Sequence, residues 1–296
     1  MWQAGHVRGL LHSAPPGVDA GIREIQTEGD RREGFEPGRS GVGIFTSAIE
    51  QALLAGEVDV AVHSMKDLPT AQPEGLTIAA VPQRHSPEDV LVADGDQELD
   101  DLPEGSTVLT GSPRRKAQVL HARPDVEVEP VTGNVPTRLE KRKEQGAAAL
   151  VLAFAGLDRL GMAKYVSSRM DPDQFIPSPG QGALAVQVRS DDADAIEACR
   201  AIDHRESHLA VAAERAMLAR LGAGCSVPAG GYATIESGTR LRLTGMVAEP
   251  DGSRLLRETE WTRAEDPEDA AELGRTVAER MCERGADKIL EQFERN

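Results

Sequence analysis

The chain has 296 residues, a length that suits two or three domains and needs no disulfide or metal to complete its cores. Asp and Glu total 49 against 33 Lys and Arg, and the net charge of −16 disfavours bulk nucleic-acid binding, because the phosphate backbone repels it. No apolar run approaches the roughly 20 residues of a membrane span, residues 1–11 do not read as a secretory signal, and three cysteines (Cys199, Cys225, Cys282) do not make a disulfide framework. A soluble cytoplasmic protein with no membrane partner is the expectation. Only six of the basic residues are Lys, so 27 are Arg. An acidic, Lys-poor surface suits solubility in high salt, where repulsion is screened, and an ordinary acidic enzyme has the same composition.

In chain order, Ile22 to Thr27 reads as a short strand, residues 31–42 as a glycine-rich loop, and Ile44 to Ala55 as a helix stopped by Gly56. Strands follow at Val58–Val62, Leu76–Val81 and Val90–Ala93, the rhythm of a mostly parallel sheet. After an acidic stretch, Asp94 to Gly105, a second α/β run follows. It has strands at Thr107–Thr110, Val126–Val131 and Ala149–Ala153, and helices at Pro113–Ala122 and Pro136–Gln145, the second with Pro at its start and Gly146 at its end. Two such runs predict two lobes and a cleft. Ser207 to Leu221 is a helix. Strands at Ala229–Ile235, Leu241–Val247 and Arg254–Trp261 and a final helix over 268–293 then predict a small α+β domain, with a hairpin at Asp251-Gly252.

Dinucleotide, Walker, zinc and Ser-His-Asp patterns are absent. Five segments carry chemistry. In Ala61 to Thr70 a buried strand releases Ser64, Lys66 and Asp67 at its carboxyl end, where open α/β sheets bind ligands. The pair suits acid/base work, and a strand-end ion pair with a proline turn is the plainer reading. Gly111 to Lys116 opens a helix with three cations against its dipole, an arrangement that favours an anion above Ser112, Arg114 and Arg115. Arg138 follows Gly133-Asn134 in another first turn, and Arg159 follows a buried strand. Together these arginines form a sink for a multiply anionic ligand in an acidic protein. Finally, Cys225 stands in Gly222-Ala223-Gly224-Cys225-Ser226, a loop suited to a nucleophile or attachment point, whereas Cys199 and Cys282 fall in helices.

The stretches AVHSMKDLPT (61–70), GSPRRKAQ (111–118), GNVPTRL (133–139), AGLDRLG (155–161), PSPGQGAL (177–184) and AAERAMLARLGAGCSVP (212–228) resemble, in order and spacing, the porphobilinogen deaminase (hydroxymethylbilane synthase) family. The resemblance covers nearly the whole chain. It implies two periplasmic-binding-like (type II) α/β lobes around a cleft plus a small α+β C-terminal domain with a three-stranded sheet. The implied boundaries are 1–84 with 183–200, 85–182 and 201–296. It implies a dipyrromethane cofactor joined by a thioether to Cys225. Four porphobilinogen units are added one at a time with loss of ammonia, and hydrolysis then releases hydroxymethylbilane, in haem and cobalamin biosynthesis. The family's catalytic carboxylate falls on Asp67, which would hydrogen-bond pyrrole N–H groups and stabilise the cation formed as ammonia leaves. Ser64, Lys66, Ser112, Arg114, Arg115, Arg138 and Arg159 match the groups that hold acetate and propionate side chains, Gln181 lies in the Gly-Gln-Gly turn, and Phe45 matches an aromatic of the cleft. The expected state is a monomer.

The chain departs from the family at several positions. It begins at Met1-Trp2-Gln3-Ala4, which matches the middle of the family's first helix, so the preceding strand and Arg-x-Ser motif are missing. A misassigned start codon is the expected cause, and a truncated, weakly active member is the alternative. Thr132 and Val42 replace cations, and Gly111 and Pro113 depart from the usual Ser-Ser-Leu. A two-lobed anion-binding protein is the rival from another class. It accounts for the arginines but not for Cys225 or Asp67.

Overall fold

The computed structural model describes residues 1–25, 44–222 and 227–295, with backbone alone for 44–47, 294 and 295. Helix α1 (Trp2–Ser13) turns Val7 and Leu11, one helical turn apart, into the core of the first lobe. Helix α2 (Ile44–Leu54) is followed by strand β1 (Ala61–Ser64), where Ala61 and His63 point inward. A single 3-10 turn over Met65–Asp67 ends β1, and β2 (Leu76–Ala80) returns to the same sheet.

The chain then crosses to the second lobe. Strand β3 (Asp89–Val92) is buried along its whole length. After it come β4 (Thr107–Leu109), α3 (Pro113–Ala122), β5 (Glu127–Glu129), α4 (Val135–Glu144), β6 (Ala149–Ala153), the short α5 (Phe154–Asp158) and β7 (Ser168–Arg169). These strands order as β5-β4-β6-β3-β7. The β4 strand is parallel to β5 and β6, while β3 is antiparallel to β6 and β7. Ser112 caps α3 and Asn134 caps α4, each with a proline in the first turn, as the sequence pattern requires.

A second crossing leads to β8 (Leu184–Arg189), which the sequence reading leaves unassigned. It lies between β1 and β2 and is antiparallel to both. The expectation of a mostly parallel sheet is therefore wrong for the first lobe. The central strand arrives from the other lobe and runs against its neighbours. The turn Gly180-Gln181-Gly182 that precedes it touches the 3-10 turn at the end of β1. A Cβ on Gly180 would meet Met65 Cγ at 2.7 Å, and its φ of 73° suits glycine alone. The expected strand at Ile22–Thr27 is not formed over Ile22–Ile25, and its last two residues lie outside the described ones.

After α6 (Ala193–Arg200), helix α7 (Arg205–Arg220) opens the C-terminal domain. Strands β9 (Ala229–Ser237), β10 (Arg240–Ala248) and β11 (Leu255–Arg263) form an antiparallel meander in the order β11-β10-β9. The expected single last helix is two, α8 (Pro267–Glu283) and α9 (Ala286–Arg295), separated where Gly285 takes a φ of 93°. Helix α7 is buried on more than one side. Leu209, Ala213 and Met217 enter the C-terminal core, whereas Val211 packs with Met65, Leu68 and Val81 of the first lobe. Glu214, fully buried, bonds to Arg84 of the first crossing (2.7 and 3.1 Å), the Gly180 N–H (2.6 Å) and the Ala233 N–H (2.8 Å). The architecture is thus two α/β lobes joined by two crossings, with an α+β domain against both. Among the described residues no helix is long and apolar enough to cross a membrane.

Helices α7 and α8 meet at Gly274, where an added Cβ would lie 2.2 Å from the Ala213 carbonyl and 2.8 Å from the Met217 nitrogen. Gly274→Ala should therefore push the helices apart and destabilise the protein by about 1–3 kcal/mol despite alanine's better helix propensity. Urea unfolding of the variant checks this, and an unchanged midpoint would contradict the close approach.

Candidate active site

The end of β1 presents Ser64, Lys66 and Asp67 together because the 3-10 turn begins there. Met65 and Leu68 are buried beneath it, Lys66 is half-buried and the Asp67 side chain is exposed. His63, one residue before Ser64, is buried, and its Nε2 lies 3.1 Å from Gln187 Oε1. Gln187 in turn donates to Glu50 and Gln72. Burial lowers the His63 pKa, and the Gln187 bond and Glu50 oppose that shift. This polar network anchors the strand end from below.

Arg114 and Arg115 stand in the first turn of α3 but point into the second lobe, with only 3% and 6% of their surface exposed. Their partner is Asp89, the first residue of β3, which is completely buried. Arg114 Nη1 lies 2.8 Å from Asp89 Oδ2, and Arg115 donates from Nε (3.0 Å) and Nη2 (2.8 Å) to Oδ1. Gln181 donates to the same Oδ1 at 2.8 Å and to the Pro87 carbonyl at 2.7 Å. Arg114 also donates to the Ile176 carbonyl, and Arg115 to the Val151 carbonyl. Burial pushes the Asp89 carboxyl up, but the two guanidiniums outweigh it and hold it well below the usual carboxylate range. The anion that the helix start calls for is thus supplied in part by the chain itself. Sequence reading missed Asp89. A carboxylate opening an otherwise aliphatic strand was the available signal.

Two guanidiniums against one carboxylate leave a net positive charge beneath the site. Burial lowers the pKa of Lys66, against the pull of Asp67, and Arg115 and Arg114 add to the lowering while Asp89 opposes it. Burial and the neighbouring Arg115 likewise lower that of Arg138, which donates to the Gly133 carbonyl at 2.7 Å. Arg159 is half-buried, donates to the Gly182 carbonyl at 2.8 Å and lies over the Trp2 ring at 5.4 Å. Burial lowers its pKa, and Asp67 opposes the shift. Its Nε is buried and has no hydrogen-bond partner among the described residues. Ser112 accepts from the Arg115 N–H as a helix cap. The lobes therefore bring Lys66 and Arg159 within electrostatic reach of the exposed Asp67 carboxylate, with Arg114 and Arg115 close to Lys66 and Arg138 close to Arg115. That arrangement is chemically able to bind carboxylates and to stabilise a positive charge formed next to Asp67. Cys225 and the side chain of Phe45 lie outside the described residues. Cys199 is buried in α6, where burial raises its thiol pKa to about 11, and Cys282 is half-buried in α8.

Asp89→Asn removes the counter-charge of two buried guanidiniums and should cost about 3–5 kcal/mol. Since the folded carboxyl titrates below the unfolded one, this stabilisation is complete above the unfolded value of about 3.9 and is lost only as pH falls toward the depressed folded value. Urea unfolding should show the same difference between wild type and variant at pH 8 and pH 5. A difference that disappears by pH 5 would refute the assignment.

A family model described as "Porphobilinogen deaminase, dipyromethane cofactor binding domain" matches residues 1–197, and one described as "Porphobilinogen deaminase, C-terminal domain" matches residues 208–283. The chain is similar to the porphobilinogen deaminase of Pelotomaculum thermopropionicum, with 46% identity over 293 residues, 99% of this chain and 93% of that one. The Syntrophobacter fumaroxidans protein of the same name is 42% identical over 294 residues, covering 99% and 94%. Among solved structures, a YaeC-family lipoprotein from Enterococcus faecalis aligns over 54% of this chain and 77% of its own, with a TM-score of 0.36 and 16% identity. Both domain models and the full-length relatives lead to one conclusion: the chain belongs to the porphobilinogen deaminase family.

Proposed function

We propose that this protein condenses four porphobilinogen molecules, with loss of ammonia at each addition, and releases hydroxymethylbilane by hydrolysis. The observation that carries this reading is the proximity of Lys66 and Arg159 to the exposed carboxylate of Asp67, with Arg138 beside Arg115. The substrate is a pyrrole with acetate and propionate arms, so it brings carboxylates that these cations can pair with. We assign it a cytoplasmic location and a monomeric state, and lobes bounded at 1–84 with 183–200, 85–182 and 201–296.

The residues present fit a dipyrromethane. Its carboxylates match the donor set, and Arg159 Nε is a buried donor with no acceptor among the described residues. Ser64, Lys66, Arg138 and Arg159 would hold those carboxylates. Arg114, Arg115 and Gln181, fixed by Asp89, would supply a positive field and donors from beneath, and Ser112 would contribute at the head of α3. Cys225 would be the point of attachment, and Phe45 would line the cleft. The bound group supplies the pyrrole carbon to which the first substrate is joined.

Asp67 accepts the pyrrole N–H and faces the positive charge that develops as ammonia departs. Fixed at a strand end, its carboxylate needs no reorganisation when that charge appears. It also takes part in moving the proton that restores each ring. The arginines hold the carboxylate arms so that the reacting carbons meet, which is the entropic share of the rate.

Protein made in cells that produce porphobilinogen should carry an excess mass of two pyrrole units, mapping to Cys225. Cys225→Ser should lack it and Cys199→Ser should keep it. Asp67→Asn should fold and lose about 10²–10³ of its turnover. A bare mass in the wild-type protein or near-normal turnover in Asp67→Asn would sink the corresponding assignment.

A further inference from the structure

The turn that presents Asp67 is held from behind by the C-terminal domain. Arg215, on α7, donates from Nη1 to the Leu68 carbonyl at 2.9 Å and from Nη2 to the carbonyls of Pro69 (2.6 Å) and Thr70 (3.2 Å). These are the three residues that follow Asp67. One helical turn earlier on α7, Val211 packs with Met65 and Leu68, the apolar underside of the same turn. The residue next to Arg215 is Glu214, which holds Arg84 of the first crossing and the N–H of Gly180 in the second. Gly180 in turn lies against Met65 and Lys66. Helix α7 therefore grips the Asp67 turn through one residue and both crossings through its neighbour, and in the sequence the Cys225 segment follows it.

We propose that Arg215 is a positioning residue for the reaction, fixing the carboxylate of Asp67 relative to the helix that carries the cofactor loop. This rests on Asp67 being the catalytic carboxylate. The physical basis is the number of acceptors. Three consecutive carbonyls pointing one way form a small negative pole, and a planar guanidinium can satisfy all three from a single side chain. An ammonium on a shorter reach meets fewer of them, and an amide fewer still. Without Arg215 the turn keeps its apolar underside and loses its lateral restraint. Asp67 would then sample positions displaced from the developing charge, and a displacement near 1 Å costs on the order of 10²-fold in rate. Substrate arms are held by other side chains, so affinity should change little.

The test uses the full-length, cofactor-loaded protein with Arg215→Lys and Arg215→Gln, beside Asp67→Asn and the control Arg220→Gln, whose exposed ion pair with Glu279 lies at the end of the same helix. Intact mass reports cofactor loading, urea unfolding reports the fold, and steady-state consumption of porphobilinogen gives kcat and KM. The expected result is full loading in both Arg215 variants, KM within about twofold, and kcat reduced on the order of 10- to 100-fold in Gln and less in Lys, with Arg220→Gln unchanged. Loaded Arg215 variants with wild-type kcat would overturn the proposal while leaving Asp67 in place. So would a change confined to KM, or loss of the fold in both variants, which would give Arg215 a purely structural role. Normal turnover in Asp67→Asn would instead overturn the catalytic assignment itself.

Discussion

One buried carboxylate, that of Glu214, is where the three parts of this protein meet. It has no exposed surface, and all of its partners come from other elements: a guanidinium of one crossing, a backbone N–H of the other and an N–H of the C-terminal sheet. A charge in that position is tolerable only while every partner is present. The geometry of the two crossings is therefore tied to the packing of α7, and the cleft between the lobes takes its shape from the same contact. A hydrophobic residue at 214 could fill the volume, but it could not select one arrangement of three bodies.

The cations follow a related rule. In a chain with a net charge of −16, arginines are easily neutralised on the surface, and the numerous exposed pairs with Asp and Glu show this. Around Asp67 the pattern reverses. Among the described residues the buried Asp89 carboxylate there is shared by two guanidiniums, so cations outnumber the carboxylate they share. The acidic surface and the cationic cleft are thus complementary. The surplus of acid lies where water solvates it, and the deficit lies where a carboxylated ligand can be held.

Much of this was legible in the sequence for identifiable reasons. Helix α3 begins and ends where Ser112, Pro113 and the apolar spacing place it, and β6 is a short aliphatic run bounded by Gly146 and the next helix. The strand-end grouping of Ser64, Lys66 and Asp67 needs only local chain direction, so it too could be read. What escaped reading depends on distant partners. Strand β8 carries a buried Gln187 whose hydrogen bonds come from α2, β1 and the segment after Asp67, and a glutamine in an apolar run does not announce a core strand. The split between α8 and α9 rests on one glycine inside an otherwise helical pattern. The roles of Asp89 and Glu214 could not be inferred locally, since each is defined by arginines far away in the chain.

The placement of β8 has a consequence for how the chain is made. Strands β1 and β2 do not pair with each other. Each pairs with β8, and Ala61 meets Gln187 across a separation of 126 residues, 187 minus 61. The second lobe, by contrast, is built from one continuous stretch between the crossings. On a ribosome, its sheet is complete before the first lobe receives its central strand. Among the described residues, β1 and β2 therefore wait for β8, the last strand of the two-lobed part, and closing so long a loop is a slow step. The first lobe begins ahead of the second and must be finished after it.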